Sequence, residues 1–148
     1  MRVVLQRVKR AQVTVNKTVI GKIGTGVVLL VGFTDGDGPA EIEYCTRKII
    51  RARIFTDADG KMNQDIQAVG GAILAVSQFT LYANTRRGNR PSFTAAEEAE
   101  KAHRHYEQFV TCLRETGIPV ATGQFGADMQ VDLVNDGPVT IIYDTNNK

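Results

Sequence analysis

Apolar and polar positions divide the chain into strand-like and helix-like stretches. Arg2–Val8 and Gln12–Asn16 are rich in β-branched residues and partly alternate apolar with polar, which predicts strands. Val27–Val31 is an unbroken apolar run, which predicts a strand covered on both faces. Gly21, Gly24, Gly26 and Gly32 punctuate this region as turns or bulges. Asp37-Gly38-Pro39 then opens a helix, since proline has no N–H where the first turn has no acceptor for one. Ile42, Cys45 and Ile49 form its apolar stripe, and Arg47, Lys48 and Arg51 gather near its C-terminus, opposing the helix dipole. Ala72–Leu81 reads as a buried strand whose second half turns polar, followed by a loop over Asn84–Pro91. Thr94-Ala95-Ala96-Glu97 has the spacing of a capping box. The second helix continues with a stripe at Ala99, Ala102, Tyr106, Phe109, Val110 and Leu113, and Gly117 and Pro119 stop it. Met129–Val134 and Val139–Tyr143 read as two strands around Asn135-Asp136-Gly137-Pro138.

The order strands, helix, strand, helix, strands predicts an α+β domain. Its mostly antiparallel sheet is curled into a barrel-like core with two main helices packed against it, and the C-terminal β segment is available for pairing across a dimer. The 148 residues suit a single domain spanning 1–148, and 43% hydrophobic against 23% charged residues is the balance of a globular protein. A domain of this size buries enough surface to fold without disulfides or a metal. A net charge of +2 does not announce a nucleic-acid binder, although a local cluster matters more than the total. No apolar run approaches membrane-spanning length, and the charged N-terminal stretch does not resemble a signal peptide. Cys45 and Cys112 lie in no CxxC pattern and read as reduced thiols, which points to a cytoplasmic protein.

The usual catalytic signatures are missing: no GxSxG, no Walker loop, no HExxH and no GxGxxG after a strand. Asp57-Ala58-Asp59-Gly60 resembles the opening of a calcium loop but lacks the later acidic ligands, so it reads as a turn and no metal is expected. His103 and His105 are two apart on a helix, point to different sides and read as solvated surface residues. Ser77-Gln78-Phe79-Thr80 is a polar end on an apolar strand. Either these side chains bond to nearby backbone as the strand leaves the sheet, or they line a substrate pocket with Thr80 as the candidate nucleophile. A threonine without an adjacent base attacks poorly, so Thr80 can line a pocket without attacking. Arg86, Arg87 and Arg90 make the following loop either a solvated basic loop or a phosphate contact. Asn135–Thr140 alone reads as a turn between strands.

Together these segments resemble the D-aminoacyl-tRNA deacylase family, also called D-tyrosyl-tRNA deacylase, of bacterial type. The likeness runs end to end, through Gln6-Arg7-Val8, Arg53-Ile54-Phe55 and Gly60-Lys61-Met62-Asn63. It is sharpest at Ser77–Ala83, Arg90-Pro91-Ser92-Phe93, Phe125-Gly126-Ala127-Asp128-Met129 and Asn135–Thr140. The resemblance implies a homodimeric, cofactor-free enzyme that hydrolyses the ester between a D-amino acid and the 3′ end of tRNA. It also implies catalytic roles for Gln78, Phe79 and Thr80. Ser77, Phe125 and Met129 would hold the amino acid and terminal adenosine, and Gly137–Pro138, cis in the family, would be inserted from the other subunit.

Backbone N–H groups near Phe79 and Thr80 would then form an oxyanion hole. The tRNA's terminal 2′-hydroxyl would assist attack by water, with Thr80 lining the site. A Gly137–Pro138 wall that clashes with L side chains cannot exclude glycine, so glycyl-tRNA mischarged on alanine tRNA is expected as a substrate too. The rival readings are a dimeric module that binds an RNA 3′ end without hydrolysis, and a Thr80-dependent esterase of small molecules.

Overall fold

The computed structural model describes residues 1–148. Its strands are β1 (Arg2–Val15), β2 (Thr18–Ile23), β3 (Gly26–Gly32), β4 (Phe55–Thr56), β5 (Met62–Gln64), β6 (Ala72–Ser77), β7 (Val120–Thr122) and β8 (Gln130–Asp144). Helix α1 (Pro39–Ile50) lies between β3 and β4, and α2 (Ala99–Glu115) lies between β6 and β7. The two strands expected within residues 2–16 are one continuous strand. β2 and β3 succeed each other along one edge of β1, from Val15 opposite Thr18 to Arg2 opposite Gly32. β8 runs antiparallel along the other edge, from Thr14 opposite Gln130 to Arg2 opposite Asp144.

β3 then pairs with β6 and β6 with β7, both in parallel, so the sheet is mixed. It curls until β2 reaches β7, where a Cβ on Gly21 would lie 2.7 Å from the Thr122 carbonyl oxygen. Because β3 and β6 sit inside this curl, their two faces feed two cores. Val27, Leu29, Val31, Ile73 and Ala75 pack under the helices, while Val28, Leu74 and Val76 meet Val8, Val13 and Ile23 inside the barrel. The unbroken apolar run of β3 reflects this double burial.

Helix α1 starts as expected, with Pro39 in its first turn and the Glu41 carboxylate accepting from the Gly38 N–H at 3.2 Å. Ile42, Cys45 and Ile49 form its buried stripe. The start of α2 differs. Glu98 caps it, its carboxylate accepting from the N–H groups of Glu100 (3.0 Å) and Lys101 (3.1 Å). The capping box expected at Thr94–Glu97 does not form, because Glu98 takes the capping role and the Glu97 carboxylate turns inward.

Residues 130–144 differ as well. They form one strand, with no turn at Asn135–Pro138. Between the pairs Val8–Asn135 and Gln6–Thr140, β1 supplies one residue, Arg7, while β8 supplies four. The surplus swells out as a bulge with Gly137 and Pro138 exposed, joined by a cis peptide bond.

Two expectations follow from this packing. A Cβ on Gly26 would sit 1.8 Å from the Ala72 carbonyl oxygen and 2.7 Å from its nitrogen. Gly26→Ala should therefore force β3 from β6 and lower stability by about 3 kcal/mol in urea unfolding. At the other end of β3, Arg2 Nη2 lies 2.7 Å from Asp144 Oδ2. Burial pushes the Asp144 carboxyl up, but the hydrogen bonds from Arg2 and the Asn146 N–H outweigh it and hold it below its ordinary value. A carboxylate lowered by folding stabilises above its unfolded pKa and loses that contribution as pH falls through the folded one. The stability gap between wild type and Asp144→Asn should stay level at neutral pH and close below about pH 4.

Candidate active site

Strand β6 leaves the sheet at Ser77, which is its last paired residue, opposite Val31. The Gln78 N–H still donates to the Val31 carbonyl at 2.7 Å, after which the chain enters a 3₁₀ turn over Phe79–Tyr82. The N–H groups of Leu81 and Ala83 donate back to Gln78 and Thr80. Those of Phe79 and Thr80 have no acceptor in the chain, as the first residues of any helical turn do not.

Phe79 borders a cleft of about 520 Å³ that lies between the end of β6, the start of α2 and the segment leading into β8. Of the residues expected in the site, Ser77, Gln78, Phe79, Phe125 and Met129 line this cleft together. Thr80 sits one residue further on, half-buried, and its hydroxyl accepts from the Gln78 side-chain amide. An amide cannot take a proton from a hydroxyl, so this contact orients Thr80 without activating it.

Arg86, Arg87 and Arg90 are all exposed, on a loop pinched shut by reciprocal backbone bonds between Asn84 and Ser92 at 2.7 and 3.0 Å. Arg86 and Arg87 share a concave surface with Asn84 and Ser92, and Arg90 lies outside it. The loop reaches the cleft through Phe93, whose ring meets Phe79 edge-on at 5.1 Å.

Gly137 and Pro138 do not line the chain's own cleft. Gly137 lies six residues beyond Val131, the last cleft residue on β8, or ~20 Å at ~3.3 Å per residue. Beneath the bulge lies Arg7, a buried guanidinium whose Nε donates to the Asp136 carbonyl at 3.0 Å and whose Nη1 donates to the Ile54 carbonyl. Gly137 has φ +126°, and a Cβ there would come within 3.0 Å of Arg7 Nη2. Glycine is therefore needed twice, for conformation and for space. The Arg7 role was not drawn from the sequence, although Val3, Leu5 and Arg7 share the inward-facing parity of β1 and a buried charge requires a partner.

Glu97 is the second functional candidate that the sequence reading missed. Its carboxylate is fully buried in the cleft wall, with Lys101 Nζ 2.8 Å from one oxygen and His105 Nδ1 2.8 Å from the other. The hydrogen bond to Glu97 raises the Lys101 ammonium above its ordinary value. His105 is thus not the solvated residue expected, since its side chain is 14% exposed and its ring lies 5.6 Å from Phe33. The signal was the spacing: positions 101 and 105 fall on one helical stripe, with Glu97 four residues earlier at the helix entry. His103 does point elsewhere and is half-exposed. Burial pushes the Cys45 thiol up to about 11, Cys112 is half-buried, and both are free. No helix is long and apolar enough to cross a membrane.

A family model described as D-Tyr-tRNA(Tyr) deacylase matches residues 4–144. The chain belongs to this family. It is a hydrolase acting on D-aminoacyl-tRNA, in accord with the motifs from Ser77 to Ala83 and from Asn135 to Thr140. A solved structure described as c-Myc DNA Unwinding Element Binding Protein is similar at 41% identity, with a TM-score of 0.92, over 98% of this chain and 99% of that one. Another, described as a probable eukaryotic D-amino acid tRNA deacylase, shares the fold at 19% identity, with a TM-score of 0.80, over 96% of this chain and 97% of that one.

The Arg7 geometry generates a further expectation. Arg7→Met leaves two carbonyls without their charged donor, which should lower stability by ~2–4 kcal/mol in equilibrium unfolding. Arg7→Lys should recover only part, because one ammonium cannot replace both arms of the guanidinium fork.

Proposed function

We propose that the enzyme removes D-amino acids from tRNA by RNA-assisted hydrolysis, selecting against L-esters by steric rejection at a site built from two copies of the chain. The observation that carries the mechanism is the pair of unpartnered N–H groups at Phe79 and Thr80, beside a cleft that offers no free base. Glu97 is the one acidic group in the cleft lining, and Lys101 and His105 engage its two oxygens. In this reading water attacks the ester carbonyl, assisted by the terminal 2′-hydroxyl. The oxyanion is held by the Phe79 and Thr80 N–H groups, and the ribose 3′-oxygen leaves with a proton. Gln78 fixes the acyl group or the ribose, and Ser77, Phe125 and Met129 hold the amino acid and the terminal adenosine. Arg86, Arg87 and Arg90 meet phosphates upstream.

The bulge supports the dimer reading. Gly137 and Pro138 are exposed and too far from their own cleft to wall it, while the outer edge of β8 pairs with no strand in the chain. Inserted into a partner's cleft, this backbone would block an L side chain and admit a D one. Glycine has no side chain to block, so glycyl-tRNA mischarged on alanine tRNA is also a substrate. With both cysteines free, the enzyme works in the cytoplasm.

Release of amino acid from D-tyrosyl-tRNA, L-tyrosyl-tRNA and glycyl-tRNA, with a chelator present, tests selection directly. Rapid turnover of the first and third with the L-ester intact is expected, whereas equal loss of D and L would remove the bulge as selector. A tRNA ending in 2′-deoxyadenosine should react ~10²–10⁴-fold more slowly. Thr80→Ala should keep its rate within about tenfold, because loss of a true nucleophile costs ~10⁴-fold or more. Mixing an inactive Gln78 variant in equal amount with a Pro138 variant that has lost selectivity should halve L-ester cleavage if the site spans two subunits, and leave it unchanged otherwise. A second reading, nucleic-acid binding without hydrolysis, draws on the name of the 41%-identical relative. It predicts stoichiometric protection of the ester in place of turnover.

A further inference from the structure

Phe125 has two sides. One lines the cleft, and the other lines a second concavity of about 450 Å³ along the outer face of α2. There the His103 ring stacks on Phe125, with centroids 4.4 Å apart and planes only 9° from parallel, while Tyr106 braces Phe125 at 6.0 Å. His103 keeps half of its side chain exposed, so a flat aromatic surface is presented to solvent instead of being sealed in the core. Around it stand Glu107, whose carboxylate is 3.5 Å from His103 Nε2, and Arg114 on the same concave surface. Such an exposed contact is worth little and opens readily.

We infer that this surface binds the nucleotide that precedes the terminal adenosine of the tRNA, a cytidine in the CCA end. The inference rests on the reading above, in which the adenosine occupies the cleft against Phe125. Three chemical features fit that occupant. A parallel ring stack with an open side is a platform for a base, because every base has a π face. A carboxylate at its edge accepts a hydrogen bond from the exocyclic amine of cytosine. An arginine on the same surface suits the phosphate that links the two nucleotides. Phe125 is the shared wall, so the strand passes from one recess to the next over a single side chain.

The test uses non-hydrolysable 3′-amide analogues of D-tyrosyl-adenosine and of the same compound extended by one 5′ cytidine or by one abasic nucleotide. Binding to the full chain is measured by calorimetry. The cytidine should tighten binding roughly 5- to 100-fold, the range for one base stacked on an aromatic side chain, and the abasic extension should recover little of that gain. His103→Ala should reduce the gain to under about twofold, and His103→Phe should restore it. Equal affinity for all three analogues, or a gain that survives His103→Ala, overturns the assignment. Because these compounds are never cleaved, the two readings fail separately. A gain that depends on His103 supports this site even if D-tyrosyl-tRNA is not turned over, and that failure would strike the hydrolytic reading alone.

Discussion

Hydrogen bonding along both edges of β1 is the constraint on which the rest of the structure depends. Its fourteen residues hold β2 and β3 on one side and β8 on the other. Every backbone group of a buried strand must be paired, so a break in one neighbour has to be met locally. On the β8 side that break is the four-residue swelling opposite Arg7, and the strand answers it with a guanidinium in place of a ladder rung. The bulge is thus fastened to the most securely held strand of the sheet.

The cleft arises where the same accounting is left open. β6 is paired by β3 up to its end and by β7 as far as Ala75, and α2 pins it from above through the Tyr106 hydroxyl, which donates to the Ala75 carbonyl at 2.8 Å. Burial pushes that phenol up to about 12, so it stays a donor throughout the physiological range. One residue past the last rung, the N–H groups of Phe79 and Thr80 are left without an acceptor. Free donors at the end of a rigid strand are preorganised to meet negative charge.

Much of this was legible in the sequence because burial leaves a periodic trace. The double covering of β3, the stripe of α1 and the polar end of β6 all follow from residue patterning, whereas the gathering of Ser77, Gln78, Phe79, Phe125 and Met129 was implied by the family resemblance alone. Features that depend on which of two equivalent local choices prevails were not legible. Thr94–Glu97 and Glu98 both offer a helix cap, and the outcome turns on Glu97 finding Lys101 and His105 within a buried wall. Asn135–Pro138 has the composition of a turn, and only the pairing of β1 with both flanks makes it a bulge. His103 and Phe125 are far apart in sequence, and no local pattern announces their stacking.

An open strand edge invites further strands to add to it, and repeated addition leads to fibrils. β8 runs for fifteen residues with its outer edge unpaired within the chain. Near its middle, Pro138 removes an N–H donor and the swelling over Arg7 lifts the backbone out of the pleat. A flat incoming strand meets an interruption there, so the edge cannot template an extended stack. The short segment that gives the surface its protruding wall is also a guard against aggregation. Flattening it would give up colloidal stability.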